Sequence, residues 1–137
     1  MIHSIGLMCL AFFLQTLVPF TTISQGGQSG IESRRDVIVR AAGEWQALWK
    51  EHQPDERPPA VDFSKSMAIG VFLGFRNTGG YSVAITSVEH AGDELIVTWA
   101  ESKPGTQDIT SQVLTFPYHI VGIDRQDGRI VFKQVQR

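Results

Sequence analysis

The sequence predicts an α+β domain in which one N-terminal helix packs on a mainly antiparallel β-sheet, closed as a sandwich or a half-barrel. Apolar residues show a clear helical period of i, i+3, i+4 and i+7 only in residues 43–52. The other apolar segments are short, or they alternate with polar residues as strands do. Turn signals at Gly92 and Gly128 pair sequence neighbours as hairpins. We therefore expect roughly six or seven strands, most of them antiparallel.

The helix carries Trp45, Leu48, Trp49 and His52 on one face. Two tryptophans one turn apart are expected to cover the sheet, because large aromatic side chains contribute most when they are buried. A cofactor site lined by aromatic residues would show the same spacing. Pro54 then ends the helix.

Two predicted strands flank a polar corner rich in glycine. Residues 67–73 are continuously apolar, as in a well-buried strand, and residues 81–89 alternate as in a half-buried one. Between them, Asn77, Gly79 and Gly80 tolerate positive φ and permit a sharp turn. Such a corner is expected to be rigid and exposed. It is either a binding loop or simply the geometry of a turn.

Residues 94–101 alternate and complete a hairpin with the preceding strand. Residues 118–123 and 130–132 are predicted to form a last hairpin, closed around an Asp-Gly turn at residues 127–128. The side chains expected to be mostly buried are Trp45, Trp49, Val71, Tyr81, Val83, Ile85, Val97, Trp99, Ile120 and Phe132.

Composition limits the function classes. With 137 residues, 42% of them hydrophobic and 19% charged, the chain fits one globular domain. A net charge of −2 gives no basic surface for nucleic acid.

The first 24 residues contain no Asp, Glu, Lys or Arg, and residues 5–14 are continuously apolar. That run is too short to span a bilayer and is typical of a signal peptide, which indicates export to a periplasmic, secreted or envelope location. Small residues at Thr22 and Ser24 suit a cut before Gln25. Membrane contact is expected only if the segment is retained as an anchor. Residues 25–35 are predicted to be a flexible tether, and residues 36–137 the domain.

No catalytic or metal motif is present, so we expect no enzyme activity, no cofactor and no metal. His52, His90 and His119 are scattered, and the single cysteine lies in the apolar N-terminal run. Ser82, His119 and Asp62 could be assembled as a triad only on paper, because no nucleophile elbow surrounds Ser82. Protein binding is what remains.

Several blocks of the sequence carry a family resemblance. They are Trp45-Gln46-Ala47-Leu48-Trp49, Val61-Asp62-Phe63-Ser64-Lys65, Thr78-Gly79-Gly80-Tyr81-Ser82-Val83-Ala84-Ile85, Lys103-Pro104-Gly105 and Phe116-Pro117-Tyr118-His119-Ile120-Val121. In this order they resemble the C-terminal domain of the PrcB protease-complex subunit family. The resemblance implies an exported domain that partners a secreted or surface protease, or another envelope protein, and it supplies no catalytic residues.

Two binding roles follow from these observations. One is an accessory or stabilising subunit of an exported protease, as the resemblance implies. The other is a protease inhibitor, because a preorganised corner loses little entropy on entering a cleft; the corner is also similar, over a few residues, to a loop of chagasin-type inhibitors. In both cases the residues expected to form the partner-binding site are Arg76, Asn77, Thr78, Gly79, Gly80, Tyr81, Pro104 and Gly105.

Overall fold

One helix and two four-stranded sheets form three layers in the computed structural model, which describes residues 16–136. The strands are β1 (Thr16–Leu17), β2 (Thr21–Gly26), β3 (Arg35–Val39), β4 (Ser66–Phe72), β5 (Ser82–Ala91), β6 (Glu94–Ser102), β7 (Tyr118–Asp124) and β8 (Arg129–Val135), and the helix is α1 (Ala42–His52). The apolar run predicted as the core of a signal peptide lies outside the described residues.

The sheet next to the helix, called here the middle sheet, has the order β2-β7-β4-β3. The outer sheet has the order β1-β5-β6-β8. Neighbouring strands are antiparallel except β6 and β8, which are parallel. The sheets do not close into a barrel, so the α+β prediction is confirmed and the architecture is a sandwich with one helix packed outside it.

The core between the two sheets is formed by alternate residues of β4, β5, β6 and β7. On β4, Met67, Ile69 and Val71 point to the outer sheet, whereas Ala68 and Phe72 contact the helix side. Both faces of β4 are therefore buried. This explains why its sequence is continuously apolar while β5 and β6, which bury one face, alternate.

The helix covers the other face of the middle sheet through one apolar stripe. Trp45, Leu48, Trp49 and His52 are its buried residues, as the spacing predicts. The rings of Trp45 and Trp49 meet edge to face, with centroids 5.6 Å apart. The Trp45 indole N–H donates to the carbonyl of Pro59 at 2.9 Å, so the proline-rich segment after the helix also closes over this core.

Most of the residues predicted for the core are buried, but two are not. The predicted core residues that are less than a tenth exposed are Trp45, Trp49, Val71, Val83, Ile85, Val97, Trp99 and Ile120. Tyr81 and Phe132 are only partly buried. Tyr81 immediately precedes β5 at the corner, and Phe132 lies on β8, an edge strand of the outer sheet that is covered less completely.

The prediction that residues 118–123 and 130–132 form a hairpin is wrong. β7 already pairs with β2 on one side and β4 on the other, so neither of its edges is free for β8. The chain instead crosses to the outer sheet, where β8 pairs in parallel with β6. The Arg40 guanidinium donates to the carbonyls of Gln126 and Gly128 at 3.3 and 3.0 Å, which holds the crossing connection. A turn signal identifies a reversal, not the strand that will be paired.

Residues 25–35, predicted to be a flexible tether, are packed against the domain. Gln25 and Gly26 complete β2, and Ser29 and Ile31 are buried. The amide of Gly30 donates to the carbonyl of His52 at 2.7 Å, and a Cβ at Gly30 would collide with the backbone of the last helical turn. Glycine permits close backbone approach as well as flexibility. Within residues 16–136, no helix is long and apolar enough to cross a membrane.

Replacing Trp49 tests the packing of the helix on the sheet. Trp49 is buried, and its indole N–H has no hydrogen-bond partner within the described residues. Trp49→Ala should lower the free energy of unfolding by about 3–5 kcal/mol, because it leaves a cavity. Trp49→Phe should lower it by less than about 1.5 kcal/mol, since it keeps an aromatic ring and removes the unpaired donor. Urea unfolding of both variants measures this; a loss below about 1 kcal/mol for Trp49→Ala would place Trp49 on the surface.

Candidate functional site

Two loops meet at one end of the sandwich. The corner loop, residues 73–81, joins β4 to β5, and the long loop, residues 103–117, joins β6 to β7. The backbone groups of Arg76 and Thr115 exchange two hydrogen bonds, of 2.8 and 2.9 Å, and the amide of Gly79 donates to the carbonyl of Ser111 at 3.0 Å. The Thr115 hydroxyl donates to the carbonyl of Thr78 at 2.8 Å. The two loops therefore form a single surface.

Gly80 allows the loops to approach this closely. Its φ is +89°, a conformation that side chains rarely adopt. A Cβ there would lie 2.9 Å from Cβ of Pro104 and 3.1 Å from a methyl group of Thr110. Two residues predicted for the site, one from each loop, are thus brought into contact. The glycine is required both for the turn and for the contact between the loops.

Arg76 has a more structural role than the sequence predicts. Its Nε donates to Oε1 of Glu101 at 2.8 Å, and Nη1 donates to the carbonyl of Phe75 at 2.8 Å. The guanidinium carbon lies 5.8 Å from the centre of the Tyr81 ring. The sequence predicts that Arg76 and Asn77 are both exposed, but only Asn77 is exposed. The side chain of Arg76 is 26% exposed, and that of its partner Glu101 is 9% exposed. This ion pair anchors the corner loop to β6.

The remaining predicted residues lie at the rim or within the contact between the loops. Gly105 is exposed, and its amide donates to Oδ2 of Asp108 at 2.6 Å. Thr78 is partly buried, and its hydroxyl donates to the carbonyl of Gly79 at 2.9 Å. The tip of the corner loop, at Asn77 and Gly80, is exposed. The structure thus brings the predicted residues to one end of the molecule but leaves only some of them free to contact a partner.

Four apolar side chains on the same two loops are not predicted by any sequence pattern. Phe75, Ile109, Val113 and Leu114 are all exposed. The Phe75 ring contacts that of Phe116 edge to face, with centroids 6.0 Å apart, which connects the two loops on this side as well. Exposed apolar side chains that occur together are typical of protein-binding surfaces. They have no periodicity, so only their position in the fold identifies them.

His119 is a buried structural residue between the sheets. Its Nδ1 accepts a hydrogen bond of 2.8 Å from the amide of Ile85, so Nε2 carries the proton and donates to the hydroxyl of Thr22 at 2.9 Å. Burial lowers the pKa of His119. Both ring nitrogens are thus engaged with residues other than Ser82 and Asp62, the two that a triad would need.

His52 lies beneath the end of the helix. Its Nδ1 is 2.8 Å from the Ser29 hydroxyl, which also accepts from the amide of Ile31 at 3.0 Å. The imidazole packs edge to face on the rings of Trp49 and Tyr118, with centroids 4.9 and 4.3 Å away. Burial lowers the pKa of His52 to about 4, so the ring is neutral at pH 7. Among residues 16–136, no group of three or more His, Cys, Asp or Glu side chains could hold a metal ion.

Comparison with known proteins finds a family match over the central part of the chain. Residues 67–124 match the family model described as PrcB C-terminal. The match begins within β4 and ends with β7, so it contains both loops of the candidate site. It confirms, over this segment, the resemblance that the sequence blocks carry. No curated protein and no solved structure matches the chain.

Alanine substitutions at Gly80 and Gly92 test whether the corner loop and the long loop are tightly packed against each other. Gly80 and Gly92 both have positive φ, but only at Gly80 would a Cβ meet other atoms; at Gly92 it would meet nothing within 4 Å. Both variants should lose stability from backbone strain. Gly80→Ala should lower the free energy of unfolding by at least about 1 kcal/mol more than Gly92→Ala, because Pro104 must move. Equal losses in denaturant titrations would show that the loops are not tightly packed.

The buried His52 predicts loss of stability in acid. In the unfolded chain the imidazole of His52 has its ordinary pKa of 6.5, and in the folded chain its pKa is about 4. Between these two pKa values the unfolded state holds more protons than the folded state. The contribution of His52 to the free energy of unfolding is therefore fully present above pH 6.5. It falls by up to about 3 kcal/mol as the pH is lowered toward 4. The lowered pKa of His119 adds to the same slope. His52→Phe should show a shallower slope in urea unfolding from pH 7 to pH 4; an unchanged slope would contradict this origin.

Proposed function

We propose that this chain is an exported, non-enzymatic subunit that binds a protease through the surface formed by the corner loop and the long loop. The family match supports association with a protease complex. Export is supported by the uncharged N-terminal segment with its short apolar run. The absence of catalytic sequence motifs supports a binding role.

The choice of this surface rests on its exposed apolar side chains. Six large apolar side chains are exposed within residues 16–136, and four of them, Phe75, Ile109, Val113 and Leu114, lie on the two loops. The other two, Leu17 and Ile38, lie on separate strands in different sheets. Folding alone does not favour such a concentration, because each exposed apolar group forgoes burial. An interface with another protein would recover that free energy.

The hydrogen bonds between the loops support the same role. Arg76 is tied to Thr115 through the backbone and to Glu101 through its side chain, and Gly79 is tied to Ser111. The surface is therefore largely ordered before a partner arrives, and little conformational entropy is lost on binding. The partner face expected to fit it is apolar at its centre, where the four side chains would be buried, and polar at the rim near Asn77 and Lys103.

A protease inhibitor is the second candidate. The observation that favours it is the exposed tip of the corner loop, at Asn77 and Gly80, held on both sides by the long loop. A tip of this kind can enter a substrate cleft without rearranging. Peptidase assays distinguish the two candidates: an accessory subunit leaves the activity of its partner unchanged or raises it, whereas an inhibitor lowers it in proportion to its occupancy.

Serine substitutions at two exposed leucines test the surface. Leu114 on the long loop is 51% exposed, and Leu17 on β1 is 70% exposed, so the same change can be made inside and outside the proposed interface. Leu114→Ser should weaken protease binding at least about tenfold, equivalent to about 1.4 kcal/mol. Leu17→Ser should leave it unchanged. Both variants should keep wild-type stability within about 0.5 kcal/mol.

The measurement is affinity capture from the native host, followed by a titration of the purified protease against wild type and both variants. Recovery of a protease whose affinity falls only with Leu114→Ser supports the proposal. Asn77→Ala, at the exposed tip, reports on the corner loop in the same titration. If Leu114→Ser and Asn77→Ala both bind as tightly as wild type, the partner uses another surface.

A further inference from the structure

The segment with the composition of a leader is bound into both sheets. β1 pairs with β5, with Thr16 opposite His90, and the amide of Val18 donates to the carbonyl of Val88 at 2.7 Å. β2 pairs with β7 along its length, with Gly26 opposite Tyr118. Residues 16–26 thus form an edge of the outer sheet and then an edge of the middle sheet. A cut before Gln25, which the small residues favour, would fall inside β2.

Apolar side chains of this segment contribute to both cores. Val18 and Phe20 pack against the core between the sheets, and Ile23 packs against the core under the helix. A leader that is discarded makes no such contacts in the mature protein. Cleavage after Ser24 would remove Val18, Phe20 and Ile23 and expose the apolar surface that these three side chains cover.

The polar contacts are equally specific. The Thr22 hydroxyl is the partner of Nε2 of His119, and the Ser24 hydroxyl lies 2.9 Å from that of Tyr118. The side-chain amide of Gln25 donates to the carbonyl of Val83 at 2.9 Å, which links β2 to the outer sheet. His119 is only 3% exposed, so loss of Thr22 removes the partner of a buried N–H group.

Without β2, the edge of β7 would lose its neighbour. Residues 119–123 of that strand are apolar apart from His119 and Gly122, and an open, apolar strand edge is prone to pair with other chains. We propose that residues 16–26 belong to the mature domain, and that any leader is removed at a bond on the N-terminal side of Thr16. The position of the cut rests on the export in the proposed function, whereas the retention of β1 and β2 does not.

The test is to define the N terminus of the protein made from its complete gene in its own host. Intact-mass measurement and N-terminal sequencing of the folded protein should place the first residue at or before Thr16. A folded protein that begins after Thr16, at Gln25 in particular, overturns the inference. Cell fractionation of the same material reports export separately: an unprocessed chain inside the cell contradicts the proposed location but retains residues 16–26.

Hydrogen exchange of the same purified protein tests whether the retained segment is folded. Amides of β2 that bond to β7 should exchange at least about 100-fold more slowly than in an unstructured peptide. Peptides from residues 103–110 of the long loop serve as the control for rapid exchange, because all of that backbone lies outside the strands. Exchange of residues 21–26 at the rate of an unstructured peptide would show that β2 is not part of the domain.

Discussion

Burial of β4 and β7 on both faces is the constraint on which the rest of this structure depends. Each strand lies inside the middle sheet, with the helix on one side and the outer sheet on the other. On β7, Val121 and Ile123 face the outer sheet while Tyr118 and Ile120 face the helix side. The two hydrophobic cores therefore share their central strands, and a change in either core affects both layers.

The same two strands position the candidate site. The corner loop begins where β4 ends, and the long loop ends where β7 begins, with Phe72 opposite Tyr118 in the register. One end of each loop is therefore held by a rigid, adjacent pair of residues. The contacts between Arg76 and Thr115 continue that pairing beyond the sheet, as an isolated antiparallel bridge. A surface built in this way is ordered by the core, although several of its own side chains are exposed.

Buried polar groups connect segments that are distant in the sequence. His119 joins Thr22 to the amide of Ile85, and His52 lies against Ser29. Because burial favours their neutral forms, both imidazoles act as fixed hydrogen-bonding groups at neutral pH. They attach the N-terminal segment to the sheets and to the helix, and they make the attachment sensitive to acid.

The sequence alone determined the α+β class, the helix with its buried face and the strands on either side of the corner, because these depend on local periodicity and turn chemistry. It also predicted that Gly80 and Pro104 lie close together, and the two meet in the structure. The tertiary structure alone decided that β8 leaves β7 and pairs in parallel with β6, because strand pairing depends on which edges remain free. It likewise revealed the exposed side chains of Phe75 and Leu114 and the packing of β2, since exposure and edge pairing are properties of the assembled layers, not of any short stretch of chain.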